Sequence, residues 1–178
     1  MHLRPLEPED LDLLYEIENS PETWDVTLSD APYSRFKLRQ YISAGADIHA
    51  CGELRLVIAL REKDSEKETA IGLADLTAFC SLSAKAEVGI ILLPEFRGLH
   101  HGGHALSLLE NLAVSRLRIH QLYAHIPVSN EASKTIFQKA GYQRVATLPD
   151  WHFRRGTYED VELWNKFFLK KEETPCRK

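Results

Sequence analysis

The chain has 178 residues, 44% hydrophobic and 27% charged, which is the balance of one soluble globular domain long enough to bury a sizeable core. A formal net charge of −4 argues against a nucleic-acid binder, and no apolar run nears the length that crosses a bilayer. The opening MHLRPLEPEDLD has no signal-peptide core, and Cys51, Cys80 and Cys176 are too scattered for a disulfide framework, so a reducing cytoplasmic setting is expected.

Residues 2–6 alternate loosely and predict a short first strand. Pro8 suits the first turn of a helix whose apolar face is Leu11, Leu14 and Ile17, with Leu13 alongside, and Pro21 ends it. Residues 1–30 carry nine acidic side chains against one basic, Arg4. They form either a solvated helix face or a negative field that draws cationic amines to a nearby cleft. Asn19 to Pro32 reads as a loop, with Trp24 either tucked over the core or lining a ligand cleft. Ser34 caps a second helix, about 34–44, with Phe36, Leu38, Tyr41 and Ile42 as its apolar members. The run Leu54–Leu60 predicts a central strand. REKDSEKE is a charged hairpin turn, and Ala70–Phe79 returns antiparallel with a bulge at Gly72.

The next stretch, AEVGIILLPEFRGLHHGGHAL, has three parts. Val88–Leu93 is an apolar strand stopped by Pro94, and a loop rich in Arg, Gly and His follows. Ala105, Leu108, Leu109, Leu112 and Arg116 then recur at helical spacing. The free N–H groups of a first helical turn point at an anion, and Gly102 and Gly103 allow close backbone approach. This suits a nucleotide-like ligand, although a plain βα turn has the same spacing. LYAHI within 121–126 is another strand, and Asn130 caps a helix that runs to Ala140 with Gly141 beyond its end. Residues 142–147 and 158–168 predict two final strands joined by LPDWHFRRG. The expected domain is 1–170, with 171–178 a disordered tail.

RGLHHGGHAL resembles the coenzyme A loop of the Gcn5-related N-acetyltransferases, whose pattern is Arg/Gln-x-x-Gly-x-Gly/Ala. Arg97 falls on its first position and Gly102 on its last, but His100 stands where the middle glycine belongs. AEVGI, NEASKTIFQKAGY and the order of elements extend the resemblance along nearly the whole chain. The branch most like it acetylates spermidine or the N-termini of ribosomal proteins. The resemblance implies an α+β fold with a mixed, largely antiparallel central sheet flanked by helices. It also implies transfer of acetyl from acetyl-CoA, without a metal, to a primary amine. The acceptor is a small polyamine-like molecule or, alternatively, a peptide N-terminus. A non-catalytic coenzyme-binding module is a third reading, and a homo-oligomer is left open.

Acetyl transfer to an amine needs a held cofactor, a polarised thioester carbonyl, a deprotonated amine and a protonated leaving thiolate. By position in the family, the backbone of Arg97, Gly98, Leu99, His100, His101, Gly102 and Gly103 holds the cofactor, and the Arg97 side chain can meet a phosphate. The backbone of Ile90, Ile91 and Leu92 faces pantetheine and the acetyl oxygen, on a strand that splays from its neighbour. An alkyl amine is almost wholly protonated at neutral pH, and Glu87 is the candidate base, acting through water in relatives. The usual general-acid tyrosine is replaced by Phe137, which can pack on the cofactor but donates no proton. Asn130 and Ser133 suit a helix cap, and in the family an asparagine here contacts the coenzyme arm. His100 and His104 lie four apart, but no carboxylate or cysteine completes a metal set.

Overall fold

Along Leu54–Arg61, alternate side chains must go to opposite faces of a sheet, and both faces are apolar. Val57 joins Leu14, Ile17, Leu38, Leu73 and Leu93 in one core cluster. Leu56 and Ile58 join Leu106, Leu109, Ile119 and Leu122 in the other. The sheet is therefore covered by helices on both sides. The computed structural model describes residues 1–25, 31–45, 47–61 and 68–168. Their elements are β1 (His2–Pro5), α1 (Leu11–Asn19), α2 (Pro21–Trp24), α3 (Arg35–Ala44), α4 (Ile48–Cys51), β2 (Leu54–Arg61), β3 (Glu68–Cys80) and β4 (Lys85–Leu92). After these come α5 (His101–Ser115), β5 (Gln121–Pro127), α6 (Glu131–Lys139), β6 (Gln143–Arg154) and β7 (Thr157–Phe167). The sheet order is β1-β2-β3-β4-β5-β7-β6. Every pairing is antiparallel except β4–β5. This is the α+β class that the sequence implied.

The parallel pairing is short. It comprises Lys85↔Gln121, Ala86↔Leu122 and Glu87↔Tyr123. Beyond it β4 stays with β3 and β5 stays with β7, so a gap opens between them. The alternation decides what faces that gap from each side. Ala86 and Val88 on β4, and Leu122, Ala124 and Ile126 on β5, are buried beneath α5. Glu87, Gly89 and Ile91, with His125 and Pro127, face the α1–α3 side.

Several elements form where local chemistry predicts them. Ser34 Oγ accepts the Lys37 amide at 3.1 Å and caps α3. Asn130 Oδ1 accepts the Ser133 amide at 3.1 Å and caps α6, and Gly141 closes that helix at φ 90°. The bulge expected at Gly72 lies beside it. Ile58 pairs with Gly72 and Ala59 with Ala70, which leaves Ile71 as the extra residue. The bulge turns Ile71 to the α5 side, where it is fully buried.

Other expectations change. LPDWHFRRG is not a loop, because β6 runs through it to Arg154. An irregularity between Leu148 and His152, with Asp150 at φ 50°, absorbs the break in alternation that read as coil. The real turn is Arg155–Gly156, both at positive φ (48° and 87°), as a two-residue hairpin matching the strand twist requires. Within 19–32, Pro21–Trp24 forms a short helix, and Trp24 Nε1 donates to the Glu18 carbonyl at 2.6 Å. Phe36, expected on the apolar face of α3, is 67% exposed. Residues 62–67, where the hairpin turn was expected, residues 26–30 and residues 169–178, with the expected tail, lie outside the described residues. No helix among the described residues is long and apolar enough to cross a membrane.

Candidate active site

A cavity of about 530 Å³ lies on the α1–α3 side of the sheet where β4 and β5 part. Its floor includes Asp75 from β3, Glu87, Gly89 and Ile91 from β4, and His125 and Pro127 from β5. Tyr33, Lys37 and Tyr41 wall it on one side, and Trp151 and His152 on the other.

A buried ion cluster supports one end. Arg55 meets both oxygens of Asp75 at 3.0 Å and also pairs with Glu18. Burial pushes the Asp75 carboxyl above the ordinary carboxylate value, against the pull of Arg55. Tyr41 donates to Glu53 Oε1 at 2.5 Å, and burial raises its phenol.

Glu87 stands at the last position of β4 that pairs with β5. Its Oε1 is 2.8 Å from His125 Nδ1. Sequence reasoning named Glu87 but missed His125. The signal was there, since odd positions of LYAHIP must face away from α5 once its even ones are buried. It takes the β4–β5 register, however, to bring position 125 next to position 87.

The amides of β4 sort themselves by direction. Leu93 N–H donates to the Ile71 carbonyl at 2.9 Å. Backbone groups alternate along a strand, so the Ile91 amide turns to β3 while those of Ile90 and Leu92 turn to the gap. Of the three amides expected to face pantetheine, two therefore have the direction for it. The Leu92 carbonyl accepts Arg97 Nε at 3.0 Å, and Arg97 Nη1 donates to Glu22 at 2.8 Å. The Arg97 side chain thus folds back on the end of β4, although it was expected at the loop for a phosphate.

In the loop before α5, Gly98 and His100 take the left-handed conformation at φ 74° and 62°. His100 is the N-cap of α5 and makes no side-chain cap. Histidine occupies a glycine conformation there at a cost of about 1 kcal/mol. Replacing His100 with glycine is expected to raise stability by up to about 1 kcal/mol, or about 2–4 °C in Tm for a chain of this size. Thermal unfolding of the two proteins checks it, and a lower Tm for His100→Gly would assign the imidazole a contact of its own.

The two glycines that follow differ. A Cβ on Gly102 would sit 2.9 Å from Ile136 Cδ1, so this glycine lets α6 pack against α5. A Cβ on Gly103 meets nothing within 4 Å, so the open approach expected at both positions exists only at Gly103. With the first amides of α5 beside it, this end of the gap fits an anionic cofactor arm. Phe137 is buried and meets Tyr142 edge-to-face at 4.8 Å. Tyr142 does not replace the missing acid, because its ring lies in the core and burial raises its phenol. Among the described residues no group of three or more His, Cys, Asp or Glu is placed to hold a metal.

The acidic N-terminal stretch is largely spoken for. Asp10 accepts two bonds from Arg4 at 2.7 Å, Asp12 pairs with Arg35, Glu22 with Arg97, and Asp25 with both Arg154 and Arg155. Among the described residues, Glu18 is the only acidic side chain of this stretch that lines the cavity. The general negative field, one of the two readings of this stretch, is thus mostly neutralised locally.

The fold is shared with known proteins. A spermidine N(1)-acetyltransferase from Escherichia coli (strain K12) is 28% identical over 177 residues, covering 97% of this chain and 90% of the relative. A crystal structure of spermidine N-acetyltransferase from Vibrio cholerae in complex with CoA and spermine superposes with a TM-score of 0.81 at 25% identity, covering 93% and 94% of the two chains. A spermidine N-acetyltransferase chimera from Vibrio cholerae and hSSAT gives a TM-score of 0.74 at 26% identity, covering 93% and 94%. The family model described as an acetyltransferase (GNAT) domain matches residues 1–143. The chain belongs to the GNAT family and is an acetyl-CoA-dependent acetyltransferase.

Proposed function

We propose that this enzyme moves the acetyl group of acetyl-CoA to a primary amine of a small polyamine-like acceptor. One observation carries the reading, the parting of β4 from β5 after Glu87↔Tyr123 into a cavity lined by carboxylates. The coenzyme arm enters the gap from the α5 side, held by the amides of 98–103, with Asn130, Ser133 and Phe137 close to its path at α6. The amides of Ile90 and Leu92 donate to pantetheine and to the thioester oxygen, which gains charge as the amine attacks. The amine enters from the α1–α3 side. There Glu18, Glu53, Asp75 and Glu87 face it against Lys37 and Arg55, a balance that favours a cation. The spermidine and spermine named for the relatives are acceptors of this kind. Glu87 is the carboxylate that drives removal of the ammonium proton. With Phe137 in place of a tyrosine, no side chain of α6 protonates the thiolate, and the proton comes from the acceptor nitrogen.

Release of free CoA from acetyl-CoA is the test, with spermidine, spermine and a peptide bearing a free N-terminus as acceptors. Release with the polyamines and not with the peptide is expected. Glu87→Gln should cut kcat by about 10²-fold and leave acetyl-CoA affinity nearly unchanged. Turnover with the peptide alone would move the assignment to protein N-terminal acetylation.

A further inference from the structure

His125 has no part in the reading above, yet it occupies the mouth of the gap. It lies two residues past the last β4–β5 pair, on the face that Tyr123 and Pro127 share. Three neighbours fix its ring. Glu87 Oε1 lies 2.8 Å from Nδ1. Trp151 stacks on it with centroids 6.4 Å apart and planes at 14°. Tyr123 meets it edge-on at 5.7 Å and 87°. An ionised carboxylate only accepts hydrogen bonds, so Nδ1 carries a proton, and in the neutral ring Nε2 keeps its lone pair. No hydrogen bond among the described residues engages Nε2, and the ring lines the cavity together with Gly89 and Ile91.

We propose that His125 is the group that takes the proton from the acceptor's ammonium, at Nε2, with Glu87 behind it. This rests on the acetyl-transfer reading and puts a side chain where a bridging water was expected for Glu87. The ammonium N–H bond breaks, its electron pair stays on nitrogen, and the proton bonds to Nε2. The nitrogen pair then forms the C–N bond to the thioester carbon. As the C–S bond breaks, sulfur leaves with its pair and takes the second proton from the acceptor nitrogen. The products are an amide and a thiol, and His125 returns its proton to solvent. Glu87 stays ionised throughout and stabilises the imidazolium.

The Glu87 hydrogen bond holds the imidazole above its ordinary value, against desolvation. Most other ionisable groups lining the cavity reach other partners. Asp75 and Glu18 are held by Arg55, Glu53 by Tyr41, and β7 offers only Val161. His152 from β6 and Lys37 from α3 line the cavity without a hydrogen bond to the ring. The sign for activity follows. A proton acceptor must be neutral first, so kcat/KM for the amine is low below the His125 pKa and rises through it. The rise therefore lies above about pH 6.5.

The experiment is a pH profile of kcat/KM for spermidine at saturating acetyl-CoA, from pH 5.5 to 9, for wild type, His125→Gln, His125→Ala and Glu87→Gln. The His125 ring is followed in parallel by proton NMR titration of wild type and Glu87→Gln. Both His125 variants should lose about 10²-fold in kcat at pH 7.5 and lose the rise that titrates with the ring, keeping only the increase due to free amine. Glu87→Gln should move that rise, and the NMR titration, to lower pH. Two results overturn the proposal while leaving amine acetylation intact. One is a His125 variant with wild-type kcat and profile, and the other is an NMR pKa that Glu87→Gln leaves in place. Absence of any amine-dependent CoA release from wild type overturns the acetyl-transfer reading itself, and this proposal with it.

Discussion

Replacing Arg55 with alanine is expected to lower the unfolding free energy by about 3–5 kcal/mol, read as a fall in the urea midpoint with an unchanged slope. Arg55 is held between Asp75, which it meets through two nitrogens at 3.0 Å, and Glu18 from α1. The pair alone need not add net stability, because removing two charges from water is costly. Removing one partner is a different matter, since two carboxylates lining the cavity are then left uncompensated. The loss should depend on pH with a defined sign. Burial already raises the Asp75 carboxyl, and without Arg55 it rises further. A carboxyl whose folded pKa exceeds its unfolded value binds more protons in the folded state, so stability falls as pH rises through the folded value. The deficit of Arg55→Ala should therefore be largest at neutral and alkaline pH and shrink toward pH 5. A deficit under 1 kcal/mol at pH 7.5 would mean that water reaches the cluster freely. Arg55→Lys, which keeps the charge but loses the two-nitrogen fork, should fall between the two proteins.

Gly72→Ala is the second large effect. A Cβ there would lie 2.1 Å from the Ile91 carbonyl and 3.0 Å from the Leu92 Cα. Both atoms are backbone, so no side chain can move aside and β4 itself must shift. A cost of about 3 kcal/mol is expected from such overpacking. The displaced segment carries the Ile90 and Leu92 amides, so acetyl-CoA affinity should also fall at least tenfold. Gly89→Ala is the control on the same strand. Its added Cβ meets only Asp75 Cβ, at 3.7 Å, which is ordinary contact, and its stability should stay within about 1 kcal/mol of wild type. Equal losses for the two variants would show that glycine acts here through backbone entropy and not through the close approach of β3 to β4. Urea unfolding and calorimetric titration with acetyl-CoA read both quantities.

The parts legible in the sequence were those set by short-range chemistry. Ser34 and Asn130 cap their helices because a side-chain oxygen two or three residues from free amides is a local matter. His100 stood out because the resembling family has glycine there, and it does take the left-handed conformation that a glycine position allows. What escaped depended on register. The bulge was expected at Gly72, but that it turns Ile71 to the other face follows only from the β2–β3 register. The stretch around Trp151 read as coil because Pro149 and Asp150 interrupt its alternation, whereas pairing with β7 carries the strand through. His125 is the most consequential miss. Its partner is 38 positions away, and only the β4–β5 register makes them neighbours. Glycine roles also needed three dimensions, since Gly102 and Gly103 are adjacent in sequence and face a packed helix and open space.

The short parallel pairing has one more consequence. The four N-terminal strands and the three C-terminal ones are joined across the sheet by the pairs at 85–87 and 121–123 and, just before them, by the His120 and Gln121 amides that donate to the Ala84 carbonyl. Every other backbone bond of the sheet lies within one half or the other. The line along which the two substrates must meet is thus also the sparsest seam in the protein's hydrogen-bonded fabric. A slight rotation about that seam would change the width of the gap without breaking a single ladder inside either half. The ties from Asp25 to Arg154 and Arg155 bridge the same two halves at the far lip of the cleft, 129 and 130 positions apart in the chain. Access for a bulky thioester and the mutual stiffness of the two halves are therefore governed by the same few contacts, so a change that loosens one loosens the other.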